Sequence, residues 1–158
     1  MNMIRAAKKM FLVLAVPLVF AFFATAAQSG DFYEKDGVAI RGYDTVAYFS
    51  EEKAVAGSPD FVLQYKGSTF RFSSKANLDS FTANPEKYAP QYNGFCAFGT
   101  ASGYKAAIAP DAFTIVNDKL YLNYSLDVRK EWSADIPGFI SKADKNWPEV
   151  STLTKVYE

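Results

Sequence analysis

The chain has 158 residues, with 17 basic and 17 acidic side chains, no histidine and a single cysteine, Cys96. A balanced charge without a lysine or arginine cluster excludes the basic surface that nucleic-acid binding requires. Because no imidazole is present and Cys96 is the one thiol, most metal sites and histidine-assisted catalysis are excluded as well. The length fits one domain that buries its own core.

Residues 1–26 have the pattern of a secretory signal peptide. Three basic residues precede an apolar run that begins at Met10, and Ala24-Thr25-Ala26 supplies a cleavage signal of small residues. The alternative is an uncleaved membrane anchor, for which the apolar run is short and interrupted by Pro17. We therefore predict export to the periplasm or the extracellular space. The mature chain would carry 14 basic and 17 acidic residues and could form no internal disulfide.

The first half of the mature chain predicts a hairpin followed by a helix. Residues 61–65 and 68–72 alternate in polarity as strands do, and Lys66-Gly67 between them has the composition of a turn. Ser73 or Ser74 can cap the helix that follows, by accepting a hydrogen bond from a free backbone N–H. The helix is expected to end near Asn84-Pro85.

The second half repeats this plan. Residues 113–116 and 119–124 predict another antiparallel hairpin, and Ser125 is the candidate cap of the next helix. A last helix is predicted over 137–147 and is expected to stop at Pro148. The tail, residues 149–158, is expected to be frayed. Two hairpins that are each followed by a helix indicate the α+β class.

Cys96 is the main candidate for a functional side chain. Residues 97–104 can begin a helix, which would place the thiol at a helix N-terminus and favour its anion. The alternative is a buried structural cysteine between Phe95 and Phe98, since free cysteine is among the most buried residue types.

Three further side chains are candidates to shape a binding pocket beside Cys96: Tyr43, Asp44 and Tyr92. Asp44 has the alternative role of capping a helix that runs through Ala47. Tyr92 has the alternative role of packing at the edge of the core, with its hydroxyl bonded to solvent.

The segment from Tyr65 to Tyr88 resembles the YHS domain, a family with an aromatic hairpin, a short helix and an Asn/Asp-Pro-x-Lys-Tyr ending. The ending is present here as Asn84-Pro85-Glu86-Lys87-Tyr88. The resemblance implies a treble-clef-like YHS core with a C-terminal helical extension, over residues 38–148. Further motifs resemble an exported branch of the family: Gly42-Tyr43-Asp44, Gln91-Tyr92-x-Gly94-Phe95-Cys96-Ala97, Lys119-Leu120-Tyr121-Leu122-Asn123-Tyr124 and Asp135-Ile136-Pro137-Gly138.

The resemblance does not extend to a metal site. Where metal-binding members of the family have cysteines, this chain has Ala47, Ser73 and Asn77. A structural zinc site needs four nitrogen or sulfur ligands, so we expect no metal site in the monomer. Copper(I) would need Cys96 as a ligand shared between two molecules.

These features favour an exported binding or sensing module of the YHS type over an enzyme, with Cys96 as a soft-metal or redox-responsive thiol. The expected partner is a small ligand, a metal donor or another protein, with no nucleic acid and no membrane after signal cleavage. One alternative is a thiol-dependent redox enzyme, which would lack a resolving cysteine and a histidine base. Another alternative is a structural interaction domain with a buried cysteine.

Overall fold

The computed structural model describes residues 30–158, and the predicted signal peptide over residues 1–26 lies outside them. The described chain contains eight short strands and six α-helices. The strands are β1 Glu34–Lys35, β2 Val38–Ala39, β3 Ser58–Tyr65, β4 Ser68–Phe72, β5 Lys105–Ala106, β6 Phe113–Val116, β7 Lys119–Leu122 and β8 Val156–Tyr157. The helices are α1 Ala47–Ser50, α2 Lys75–Ala83, α3 Pro85–Tyr88, α4 Ala97–Ala101, α5 Leu126–Trp132 and α6 Ile136–Val150.

Each predicted hairpin is present and is followed by a capped helix. Strand β3 pairs antiparallel with β4, and β6 pairs antiparallel with β7. The Ser74 hydroxyl accepts from the N–H of Asn77 at 3.1 Å, and the Ser125 hydroxyl accepts from the N–H of Val128 at 3.2 Å. The α+β class is therefore confirmed.

Aromatic side chains fill the core between the first hairpin and its helix. Phe70 and Phe72 point inward from β4 and are fully buried, and both pack on Phe81 of α2 with ring centroids 5.0 and 5.1 Å apart. A second cluster lies between β7, α5 and α6, where Tyr121 packs on Trp132 at 5.5 Å. These two clusters hold the elements that surround Cys96.

The prediction that the last helix stops at Pro148 is wrong, because α6 continues to Val150. Proline lacks the N–H of one helical hydrogen bond, which is tolerated when other contacts hold the turn. Here Val150 is buried and the Trp147 ring packs on Tyr92 at 5.7 Å, so tertiary contacts stabilise the final turn.

The expectation of a frayed tail is also wrong. Strand β8 pairs in parallel with β5, with Lys105 opposite Val156 and Ala106 opposite Tyr157. The backbone N–H of Ala107 also donates to the carbonyl of Tyr157 at 2.8 Å.

Within residues 30–158, no helix has the length and apolar character that crossing a membrane requires.

Candidate functional site

Asp44 is fully buried at the junction of α1, β4 and α2. Its Oδ1 accepts from the N–H groups of Val46 at 2.9 Å and Ala47 at 3.2 Å. Its Oδ2 accepts at 2.7 Å from the N–H and the hydroxyl of Ser73 and from Nδ2 of Asn77. Both oxygens are thus occupied by hydrogen bonds that join three elements. Asp44 thus bonds the N–H groups at the start of α1, although the residue that directly precedes the helix is Val46.

The Asp44 network occupies the positions where the family resemblance places metal-binding cysteines. Ser73 and Asn77 donate to the carboxylate, and Ala47 contributes its backbone N–H. Among residues 30–158, no three His, Cys, Asp or Glu side chains come together in a group that could hold a metal ion. A charged hydrogen-bond network therefore stands at this point of the fold.

Tyr92 is held by α6. Its hydroxyl donates to Oδ1 of Asp144 at 2.8 Å, and its ring packs on Tyr121 and Trp147. Burial and the Asp144 carboxylate raise the pKa of Tyr92 far above its ordinary value. Tyr43 is half-buried, and its backbone forms an isolated antiparallel bridge with Ala56.

A left-handed turn directs the backbone toward Cys96. Tyr92, Asn93 and Gly94 have consecutive φ angles of 53°, 50° and 79°. Glycine adopts this conformation freely and asparagine adopts it often, whereas tyrosine does so at a cost in free energy. The contacts of the Tyr92 ring and hydroxyl with α6 offset that cost.

Cys96 is the residue that precedes α4, as predicted, and its side chain is 1% exposed. Its sulfur accepts a hydrogen bond from the N–H of Gly99 at 3.4 Å. The thiol donates to Oδ1 of Asn123, 3.6 Å from the sulfur. The same Oδ1 accepts from the N–H of Phe98 at 3.1 Å. The thiol is therefore oriented by the first turn of α4 and by the end of the second hairpin.

The Cys96 side chain forms part of the wall of a cavity of about 550 Å³. This volume is within the range of small-molecule sites. Cavity walls of this kind bind ligands through apolar contact area, with a few polar atoms at fixed positions. The other lining residues are mainly aromatic or apolar; they are Phe98, Tyr104, Ala106, Tyr124, Val128, Tyr157 and Glu158.

Burial raises the pKa of the Cys96 thiol above its ordinary value. The N–H groups of Gly99, Tyr124 and Phe98 act in the opposite direction, because they stabilise a negative sulfur. Burial is the larger effect, so the thiol is protonated at neutral pH. A protonated thiol is a hydrogen-bond donor and a soft apolar contact, and it is a poor nucleophile.

Cys96→Ser should lower the free energy of unfolding by roughly 1 kcal/mol, at the low end of the range for burying a polar group. The serine hydroxyl can donate to Oδ1 of Asn123, which accepts a hydrogen bond from the thiol in the wild type. Denaturant unfolding of the wild type and of Cys96→Ser and Cys96→Ala measures this cost. A loss of more than about 3 kcal/mol in Cys96→Ser would contradict the view that Asn123 satisfies a hydroxyl here.

Stability should fall as the pH rises above about 10. Burial raises the pKa of Tyr48 well above its ordinary value of 10.0, and that of Tyr92 likewise. Above pH 10 the unfolded chain loses these protons while the folded chain retains them, so folding becomes less favourable by up to about 1.4 kcal/mol per pH unit for each group. Unfolding at several pH values tests this, and Tyr48→Phe should make the decline less steep. An unchanged slope in that variant would contradict the assignment.

The structure brings Cys96 into a pocket but does not bring Tyr43, Asp44 or Tyr92 to its wall. Binding roles for those three residues remain predictions. Sequence reasoning missed most of the lining, because the pocket joins α4, β5, the start of α5 and the end of β8. One sequence signal was present, because Tyr124, a large apolar side chain, directly precedes the cap Ser125 and lines the pocket.

The capped hairpin–helix units and an apolar pocket define a small α+β domain with the form of a binding module. Residues 46–92 match the family model of the YHS domain, and this part of the chain is similar to that family. Comparisons with curated proteins and with solved structures give no match. The matched segment covers the first hairpin–helix unit and ends four residues before Cys96, so the pocket lies outside it.

Proposed function

We propose that this domain binds a small, uncharged and largely aromatic or aliphatic molecule in the Cys96 pocket. The observation that supports this most directly is the lining: three tyrosines, a phenylalanine, a valine and an alanine surround the thiol. Aromatic walls favour planar apolar ligands through stacked and edge-to-face contacts. A thiol at the wall adds a polarizable contact with an aromatic ring.

Binding is supported over catalysis by the state of the thiol. A nucleophilic cysteine needs a lowered pKa or a neighbouring base, whereas burial raises the pKa of Cys96 and the chain has no histidine. Oδ1 of Asn123 accepts a hydrogen bond from the thiol, but an amide oxygen is not a base that removes the proton. Cys96 therefore contributes to the shape and polarizability of the pocket.

The neutral fluorescent probe N-phenyl-1-naphthylamine tests the site. Its fluorescence should rise saturably on mixing with the protein, and Val128→Trp should weaken binding about tenfold or more by filling the pocket. Val116→Trp is the matched control, because Val116 is also a half-buried valine but lines a separate cavity against α6. Equal binding by the two variants, or no binding by the wild type, would contradict the proposal.

A redox-responsive thiol is a second candidate, supported by the N–H of Gly99, which donates to the sulfur at 3.4 Å. This N–H would stabilise a sulfenate anion. The sulfenate forms when a peroxide transfers one oxygen atom to the sulfur, and the rest of the peroxide leaves as water or an alcohol. Intact mass after peroxide treatment, with Cys96→Ser as control, measures this oxidation.

Copper(I) shared by two molecules has less support, because a sulfur that is 1% exposed cannot reach a second chain without rearrangement.

We further propose that the protein is exported and cleaved near Ala27. The support is the basic start, the apolar run and the small-residue motif at Ala24-Thr25-Ala26. Mass spectrometry of the protein recovered outside the cytoplasm should give an N-terminus at or near Ala27. Retention of Met1 on a membrane-embedded species would overturn this proposal.

A further inference from the structure

The last eight residues, 151–158, form a strap that follows α6 and closes one side of the Cys96 pocket. They end in β8, which pairs with β5 over two residues. Tyr157 and Glu158 belong to the pocket wall, and the Tyr157 ring meets Tyr104 edge-on with centroids 5.3 Å apart. The strap therefore supplies part of the binding surface as well as covering it.

Apart from the pairing with β5, the Ala107–Tyr157 hydrogen bond and the Tyr104–Tyr157 contact, two charged side chains attach the strap to the domain. Nζ of Lys105 donates to the carbonyls of Ser151 at 2.9 Å and Leu153 at 2.8 Å. Glu158 pairs with Lys35 at 3.0 Å, but both side chains are about half exposed. Exposed ion pairs of this kind contribute little to stability and weaken with added salt.

The strap is also the least buried part of the pocket wall. Within residues 151–158 only Val156 is half-buried, and the others are exposed. The remaining lining residues belong to α4, α5, β5 and adjoining positions, and all of them except the exposed Tyr124 pack on the core. Segments with few buried apolar contacts open locally at a much lower cost in free energy than global unfolding.

We infer that the strap is a gate: its release from β5 opens the Cys96 pocket, and its return places Tyr157 and Glu158 against the bound molecule. Cys96 is 1% exposed although it lines a partly open cavity, so a reagent reaches the sulfur only when part of the surrounding wall moves. The strap is held by a two-residue pairing and a few side-chain contacts, so we expect it to be the part of the wall that opens most readily. The ligand in this inference rests on the proposed function, whereas the opening of the strap does not.

The test uses the full chain and measures the rate at which iodoacetamide alkylates Cys96 under native conditions. Lys105→Met keeps the aliphatic stem but removes the two bonds to strap carbonyls. Val156→Asp removes the one half-buried apolar contact of the strap. Lys145→Met is the matched control, because Lys145 is an exposed lysine of α6 that lies outside the pocket wall.

Alkylation should be about tenfold faster in Lys105→Met and in Val156→Asp, and unchanged in Lys145→Met. In the wild type, urea below the unfolding transition should change the rate little, because strap opening exposes little surface. Equal rates in all variants, or rates that follow only global unfolding, would overturn the gate. Faster alkylation without N-phenyl-1-naphthylamine binding would keep the gate and reject the proposed ligand class.

Discussion

Asp44→Ala should lower the free energy of unfolding by about 3–5 kcal/mol, which is the range for removing one partner of a buried charged network. The carboxylate accepts five hydrogen bonds, and four different residues donate them. Its removal leaves the buried N–H groups of Val46 and Ala47 without an acceptor, and the Asn77 amide keeps only the Ser73 hydroxyl at 3.3 Å. Urea unfolding monitored by circular dichroism measures the loss.

Asp79→Ala is the matched control for this change. Asp79 lies on α2, which also carries Asn77, and its side chain is exposed and paired with Lys75. That variant should lose less than about 0.5 kcal/mol. If Asp44→Ala costs no more than Asp79→Ala, the Asp44 network does not join α1, β4 and α2 as described.

Trp132→Ala should also cost about 3–5 kcal/mol, because it removes a large, fully buried side chain from the second core cluster. Leu126→Ala on the same helix, with Leu126 60% exposed, should cost less than about 0.5 kcal/mol. Thermal or urea unfolding of the two variants makes the comparison. Similar losses would show that α5 does not pack through Trp132.

Trp132→Phe tests the contribution of the indole N–H to stability separately from that of the aromatic ring. The indole Nε1 is buried and has no hydrogen-bond partner within residues 30–158. Phenylalanine keeps most of the ring and removes the unsatisfied donor, so its cost should be only about 1–2 kcal/mol. A loss equal to that of Trp132→Ala would mean that the N–H itself stabilises the fold through a bond that the described structure does not contain.

The Asp44 network lies largely within the segment that matches the family model of the YHS domain. The matched residues 46–92 include Ala47, Ser73 and Asn77, and these side chains and N–H groups bind the carboxylate of Asp44. A buried carboxylate that accepts five hydrogen bonds from four residues joins α1, β4 and α2 at this point of the fold.

The amino-acid sequence by itself determined the local elements of this protein. Alternating aromatic residues in β4 and a polar turn specified the first hairpin, because strand side chains point alternately to the two faces of a sheet. Ser74 and Ser125 specified the starts of α2 and α5, because a cap depends on atoms three residues away in sequence. The position of Cys96 before α4 was predictable for the same reason.

Only the tertiary structure decided which of these elements meet. Asp44 reaches Ser73 and Asn77 across about thirty residues of chain, and Cys96 reaches Asn123 across 27 residues. The order of the tail depends on Lys105 and β5, and the last turn of α6 depends on the packing of Trp147 and Val150. Composition and periodicity report the neighbours of a residue along the chain. The pocket around Cys96 is formed by residues distant in sequence, whose proximity follows from the burial of aromatic side chains in two core clusters.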